Sequence, residues 1–127
     1  MKLMKTLGFV AVLALILACD SDDSPTNNPP VLEDRTMNMD ENPTSDLLTT
    51  VTATDADEDT LTYAIISQTP ANSVSINSVN GELYIMNASA FDYEQNTSIM
   101  VTISVTDGTD TTEATLTINI LDVNENG

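Results

Sequence analysis

Alternation of apolar and polar residues with a period of two is the feature that most restricts how this chain can fold. Ile and Val recur at every second position of residues 99–105, and the pattern returns in residues 114–120. A period of two places successive side chains on opposite faces, so each run predicts a half-buried β-strand. Residues 107–110, which include Gly108, predict the tight turn of an antiparallel hairpin between them.

Shorter segments of the same character complete an all-β domain. Strands are predicted around residues 51–53, 61–65 and 83–86, with a turn at Asn80-Gly81 before the last of these. After Cys19, no stretch has the 3.6-residue period of an amphipathic helix. Short strands separated by Asn, Asp, Gly and Pro predict an immunoglobulin-like Greek-key β-sandwich of about seven strands.

The charge balance excludes several classes of protein. The chain has 20 Asp and Glu against 3 Lys and Arg, a formal net charge of −17. Binding to nucleic acid requires a basic surface that displaces counterions from phosphates, so no nucleic-acid partner is expected. The chain has no His, no Trp and one Cys, which removes most nucleophilic and transition-metal sites. Oxygen ligands are abundant, and they suit Ca²⁺.

The N-terminus has the pattern of an export signal. Two Lys precede an apolar run at residues 7–17, whose 11 residues are fewer than the about 20 that cross a bilayer as a helix. Residues 16–19 (Ile-Leu-Ala-Cys) resemble a bacterial lipobox, which implies cleavage before Cys19 and a lipid anchor on its thiol. We expect residues 1–18 to be a lipoprotein signal peptide, the alternative being an ordinary secretory signal followed by a chance Cys.

Residues 19–30 predict an acidic, proline-bearing tether. Its acidic run at residues 20–23 resembles the export signal of Bacteroidetes surface lipoproteins, which implies a lipid-anchored protein of the bacterial cell envelope, on the outer-membrane surface. Residues 31–127 would then form the folded domain and end in a linker motif. Removal of residues 1–18 takes away two Lys and no acid, so the formal charge would deepen from −17 to −19.

The acidic residues gather in the predicted connections rather than on the strands. Because the loops of a sandwich cluster at its two ends, these acids are expected to form one group at each pole. Carboxylates held together repel one another, and a divalent cation among them removes that repulsion. The residues concerned are Asp40, Glu41, Asp55, Asp57, Glu58, Asp59, Asp92, Glu94, Asp107, Asp110, Asp122 and Glu125.

Four landmarks in register make residues 27–126 resemble a single cadherin repeat. They are Asp-Glu-Asn at residues 40–42, the segment 51–57 ending in Asp-Ala-Asp, Phe-Asp-Tyr-Glu at 91–94 with the strand that ends in Asp-Gly at 107–108, and Leu-Asp-Val-Asn-Glu-Asn at 121–126. The third is the most specific, because it ties an Asp-x-Glu pair to a strand and a terminal Asp-Gly. The resemblance implies calcium binding and cell–cell adhesion, including homophilic adhesion.

The resemblance also implies how the oxygens divide between two calcium sites. The C-terminal site would take Glu41, Asp92, Glu94, Glu125 and the Val123 carbonyl, and the N-terminal site Asp55, Asp57, Asp107 and an oxygen of Asn28. Asn27 and Glu125 stand where the family has Asp. Since no further repeat follows, we expect the N-terminal site to be better occupied. Glu58, Asp59 and Asp110 are expected to be solvated.

Two non-enzymatic functions remain open at this stage. One is a calcium-binding adhesion module that contacts another cell-surface protein. The other is a spacer or polysaccharide-binding module of a surface lipoprotein, or a fragment of a longer repeat array, and an exposed aromatic platform would favour glycan binding. An enzyme is not expected, because the usual nucleophile and base residues are missing and only Phe91, Tyr63, Tyr84 and Tyr93 are available in the domain to line a substrate site.

Overall fold

The computed structural model describes residues 26–124. Seven strands and one short 3₁₀ turn lie in this range. They are β1 (Arg35–Asp40), β2 (Leu47–Thr50), β3 (Thr62–Thr69), β4 (Val74–Ile76), β5 (Glu82–Ile85), the turn Ala88–Ala90, β6 (Ser98–Thr106) and β7 (Thr111–Leu121). No helix within residues 26–124 has the length and apolar character needed to span a bilayer.

The strands form two sheets that face each other. The order is β1-β7-β6-β3 in one sheet and β2-β5-β4 in the other. Neighbouring strands are antiparallel except for β1, which runs parallel to β7 with Asp40 opposite Leu121. The predicted all-β sandwich of about seven strands is confirmed, and so is the β6–β7 hairpin with its turn at residues 107–110.

The core consists of the inward-facing residues of the long hairpin and their partners on the second sheet. Each of the β6 and β7 residues concerned is at most 3% exposed: Ile99, Val101, Ile103, Val105, Leu116, Ile118 and Ile120. Val74 on β4, Leu83 on β5 and Phe91, which directly follows the 3₁₀ turn, belong to the same buried cluster. Removal of apolar surface from water drives this packing, at roughly 25 cal/mol per Å², and the packed strands fix where the loops leave the sandwich.

The strand predicted at residues 51–53 lies earlier in the chain, as β2. Residues 51–53 instead make contacts with a turn and a side chain: the Val51 N–H donates to the Gly81 carbonyl at 2.8 Å, and the Ala53 N–H donates to the Tyr63 hydroxyl at 3.1 Å. The apolar alternation at residues 51–53 therefore reflects burial against the core and not hydrogen bonding to a neighbouring strand. Strand β4 was not predicted, because three residues are too few to establish a period.

Candidate metal centres

Three segments distant in sequence meet at the pole where β3 begins and β6 ends. We call this the N-terminal pole and define it as residues 26–30, 54–60 and 107–110. Thr62 pairs with Thr106, so the loop before β3 and the loop after β6 leave the sheet side by side. An isolated antiparallel bridge between Val31 and Thr54 brings the first segment to the same place.

Asp55, Asp57 and Asp59 form a group of carboxylates at this pole, with one oxygen of each within 4.8 Å of the others. Asp55 Oδ1 accepts hydrogen bonds from the backbone N–H of Asp57 at 2.7 Å and of Asp59 at 3.4 Å. Asp55 Oδ2 is buried and has no hydrogen-bond partner among the described residues. A buried carboxylate oxygen without a donor is costly, and a bound cation would remove that cost. The donor set therefore fits a hard divalent cation.

Local backbone contacts hold this group together. The Glu58 N–H donates to the Asp55 carbonyl at 3.1 Å, and Glu58 has a φ of 59°, a left-handed conformation uncommon outside Gly. Asn28 lies against Asp57, donating its backbone N–H to Oδ2 at 2.7 Å and its side-chain amide N–H to Oδ1 at 3.2 Å. Asn28 is thus at the predicted pole, with its amide nitrogen towards the carboxylate.

Asp59 is exposed and belongs to this group, although the sequence suggested only a solvated loop acid. The pKa of its carboxyl is raised by partial desolvation and by the charges of Asp55, Asp57 and Asp107. The signal that could have found Asp59 is the pairing of the β3 and β6 ends, which turns the loop before β3 towards Asp107.

Asp107 lies at the same pole but outside the three-carboxylate group. Its Oδ1 accepts the backbone N–H groups of Thr109 at 2.8 Å and Asp110 at 2.7 Å, and its Oδ2 accepts the Asn27 amide at 2.8 Å. These bonds, led by those from Asp110 and Asn27, lower the pKa of Asp107. Asp110, also expected to be solvated, accepts from the same Asn27 nitrogen at 2.8 Å.

A second group forms at the opposite end, which we call the C-terminal pole and define as residues 41–46, 87–97 and 121–124. Because β1 and β7 are parallel neighbours that end together, the next residue of each, Glu41 and Asp122, leaves the sheet at the same edge. The Glu41 N–H donates to the Leu121 carbonyl at 3.1 Å and continues the pairing by one residue.

Glu41 is the centre of this second group. It is 3% exposed, and its two oxygens accept the backbone N–H groups of Tyr93 at 3.0 Å and Val123 at 2.9 Å. Glu41, Glu94 and Asp122 each place a carboxylate oxygen within 4.8 Å of the others. The pKa of Glu94 is raised by partial desolvation and then by the charge of Glu41.

Asp92 lies beside this group rather than within it. Its Oδ1 accepts the Glu94 N–H and its Oδ2 the Gln95 side-chain amide, both at 3.0 Å. Val123 contributes its N–H to Glu41, and a ligand role for its carbonyl stays a prediction. Glu125 lies outside the described residues, as do Cys19 and the signal at residues 1–18.

Asp122 was expected among the acids of the two poles but was not assigned to either calcium site, even though it stands in the 121–126 landmark. The signal that identifies it is structural: only the parallel pairing of β1 with β7 brings it beside Glu41. Neither pole has a basic side chain among the described residues, where Arg35 is the only Lys or Arg. Arg35 donates to the Thr50 carbonyl at 3.4 Å.

The chain matches a known protein family over most of the range that the structure describes. The model of the cadherin domain matches residues 35–121, which include β1 to β7 and most of the acids described above. The chain belongs to the cadherin family. The cadherin landmarks at residues 40–42 and 91–94 lie at the C-terminal pole, and those at 51–57 and 107–108 reach the N-terminal pole.

Two curated cadherin relatives from Drosophila melanogaster are similar in sequence. The protocadherin-like wing polarity protein stan is 38% identical over 107 residues, 82% of this chain and 3% of that protein. The Fat-like cadherin-related tumor suppressor homolog is 38% identical over 80 residues, 63% of this chain and 2% of that protein. The chain therefore spans only a few per cent of the length of these relatives.

Solved cadherin structures share the fold. Repeats EC1-2 of human protocadherin-24 match with a TM-score of 0.70 and 25% identity, covering 78% of this chain and 47% of that one. Repeats EC22-24 of mouse cadherin-23 match with a TM-score of 0.68 and 23% identity, covering 79% and 35%.

Aromatic side chains offer little for glycan binding in the part of the chain that the structure describes. Phe91 and Tyr63 are buried, Tyr84 is half-buried, and Tyr93 is 36% exposed. A groove of about 400 Å³ opens beside residues 31–35, and no aromatic residue is among those that line it. The described residues therefore present no aromatic platform of the kind that would favour the polysaccharide-binding alternative.

Proposed function

We propose that this cadherin domain is a non-catalytic, calcium-binding adhesion module at a cell surface. The observation that carries the proposal is Asp55 Oδ2, a buried carboxylate oxygen without a hydrogen-bond partner in the group formed with Asp57 and Asp59. Membership of the cadherin family supports it. The lack of any basic side chain at either pole within residues 26–124 supports it as well, because these carboxylates have no other source of positive charge.

At the N-terminal pole, Asp55, Asp57 and Asp59 would supply the charged ligands. Ca²⁺ takes six to eight oxygens from carboxylates, carbonyls, amides and water, and the amide oxygen of Asn28 is the further ligand that we propose. Asp107, which the sequence predicts as a ligand, already accepts hydrogen bonds at both of its carboxylate oxygens. A bound ion supplies positive charge at this position. The chain's own contribution is to converge three segments there, so that binding would tie the segment before β1 to the β3 and β6 ends.

At the C-terminal pole, Glu41, Glu94 and Asp122 would form the charged part of a second site. Asp92, Glu125 and the Val123 carbonyl are the further ligands that we propose. Glu41 already joins two loops through its bonds to Tyr93 and Val123. Its role is therefore to hold the loops in place as well as to offer an oxygen.

The adhesion partner that we propose is another cell-surface protein, with a second copy of this chain as the homophilic case. Membership of the cadherin family, to which the names of both Drosophila melanogaster relatives also refer, supports an adhesive role.

We also propose a lipid anchor on Cys19 and an outer-membrane location in a bacterial envelope. Incorporation of labelled palmitate, abolished in Cys19→Ser, is the expected result, and unlabelled wild-type protein would contradict the anchor.

Isothermal titration of the full chain with CaCl₂ tests calcium binding. We expect saturable binding with an extracellular-type Kd of about 10⁻⁴ to 10⁻³ M, weakened at least about tenfold in Asp55→Asn, since each tenfold loss needs only about 1.4 kcal/mol. Glu58→Gln removes the same charge from the same loop but no member of the carboxylate group, so its Kd should match that of the wild type. Equal Kd values for Asp55→Asn and wild type, or no saturable heat, would contradict the proposal.

A further inference from the structure

One contact at the N-terminal pole joins residues far apart in the chain through a single nitrogen. Asn27 Nδ2 lies 2.8 Å from Asp107 Oδ2 and 2.8 Å from Asp110 Oδ2, across 80 and 83 residues of sequence. All three side chains are half-buried. We call this arrangement the Asn27 clamp.

The clamp has the form of a small cation site filled by a neutral group. Ionised carboxylates only accept hydrogen bonds, and an amide nitrogen carries two hydrogens, so one Asn nitrogen can serve both acids at once. Bonds from a neutral donor to an ionised acceptor are stronger than those between neutral groups. Two carboxylate oxygens that converge on one point would repel each other without such a donor.

The clamp also accounts for the separation of Asp107 from the neighbouring carboxylates. With Thr109, Asp110 and Asn27 as donors, both oxygens of Asp107 are already hydrogen-bonded. Asp55, a few residues from the start of β3, has an oxygen with no donor. The carboxylate oxygens of Asp107 are therefore hydrogen-bonded by groups of the protein itself, whereas one carboxylate oxygen of Asp55 is not.

We propose that the Asn27 amide takes the place of a calcium ion between Asp107 and Asp110, so that calcium at the N-terminal pole is confined to the Asp55, Asp57 and Asp59 group. The inference rests on the proposed calcium-binding function and states which carboxylates of the N-terminal pole hold the ion. It makes residue 27 the determinant of how many ions this pole binds. Replacing the amide nitrogen by a carboxylate oxygen would turn the clamp into three acids that require a cation.

Calcium binding and thermal melting of full-chain variants test the clamp. Asn27→Asp should bind one more Ca²⁺ than wild type in equilibrium dialysis with ⁴⁵Ca, and its Tm in chelator should fall by about 4–8 °C, the shift expected for about 1 kcal/mol in a domain of this size. Asn72→Asp is the matched control. It adds the same charge outside both carboxylate groups, at an exposed residue with a φ of 62° that Asp tolerates. This control should behave as wild type does.

Asn27→Ala and Asp110→Asn keep the test decisive if Asn27→Asp does not fold. Asn27→Ala should melt below wild type in chelator, where calcium plays no part. Asp110→Asn should retain the wild-type number of ions, since Asp110 is held by the clamp and not by calcium. An unchanged Tm for Asn27→Ala, or loss of an ion in Asp110→Asn, would overturn the clamp.

The outcomes separate the clamp from the proposed function. If wild type binds calcium but Asn27→Asp binds no additional ion, the clamp is wrong and the calcium proposal stands. If wild type binds no calcium while Asn27→Asp binds one ion and Asn27→Ala is destabilised in chelator, the clamp stands and the calcium proposal fails.

Discussion

Gly81 and Gly108 share a left-handed backbone but differ in what lies next to it. Gly81 has a φ of 78°, and a Cβ added there would lie 2.3 Å from the Val51 carbonyl oxygen. Gly108 has a φ of 97°, and a Cβ there would meet nothing within 4 Å. Gly81 thus allows the close approach of the segment after β2 to the turn before β5, whereas Gly108 only allows the turn of the β6–β7 hairpin.

The first prediction compares alanine at these two positions. Gly108→Ala should lose about 1–2 kcal/mol of unfolding free energy, the cost of a left-handed conformation for a residue with a Cβ. Gly81→Ala carries the same cost and a backbone clash, so we expect a loss of more than about 4 kcal/mol, in the range reserved for severe disruption. Urea unfolding measures both, and equal losses would show that the Val51 contact is unimportant.

At the scale of the strands, the sequence could predict those strands in which apolar and polar residues alternate over many positions. The β6–β7 hairpin was predicted because both runs alternate over many residues around a Gly-containing turn. The position of β2 and the existence of β4 depend on pairing with β5, which no local pattern of three or four residues reveals. The parallel pairing of β1 with β7 is also non-local, and Asp122 was consequently not assigned beside Glu41.

Glu41 provides the test of this strand arrangement. Glu41→Ala removes the acceptor for the Tyr93 and Val123 N–H groups, and hydrogen bonds to charged groups contribute about 1.5–3 kcal/mol each. We expect a loss of about 3–6 kcal/mol in saturating calcium for the two bonds together, with faster hydrogen exchange at the amides of residues 93 and 123. Asp40→Ala, at the exposed preceding residue, should lose less than about 0.5 kcal/mol. Similar losses in the two variants would contradict the role of Glu41 in holding these two loops in place.

At the scale of the whole molecule, the strands keep the acidic side chains apart from the apolar core. The inward faces of β6 and β7 are apolar, and the acids lie mainly in the loops of the two poles. The sequence could predict this division, because acids in connections must gather at the ends of a sandwich. It could not predict which acids meet, since Asp59 joins Asp55 and Asp57 through the local turn and the β3–β6 pairing. Nor could it predict the Asn27 clamp, which depends on the tertiary position of the segment before β1.

The thermal melt of the full chain in CaCl₂ and in chelator tests the central claim most directly. Calcium at a hundredfold excess over Kd should add about 2.7 kcal/mol of stability, which corresponds to a rise in Tm of about 10 °C or more for a domain of this size. MgCl₂ at equal ionic strength should give a smaller rise, because Mg²⁺ gives up its water reluctantly. The same Tm in calcium and in chelator would contradict the account.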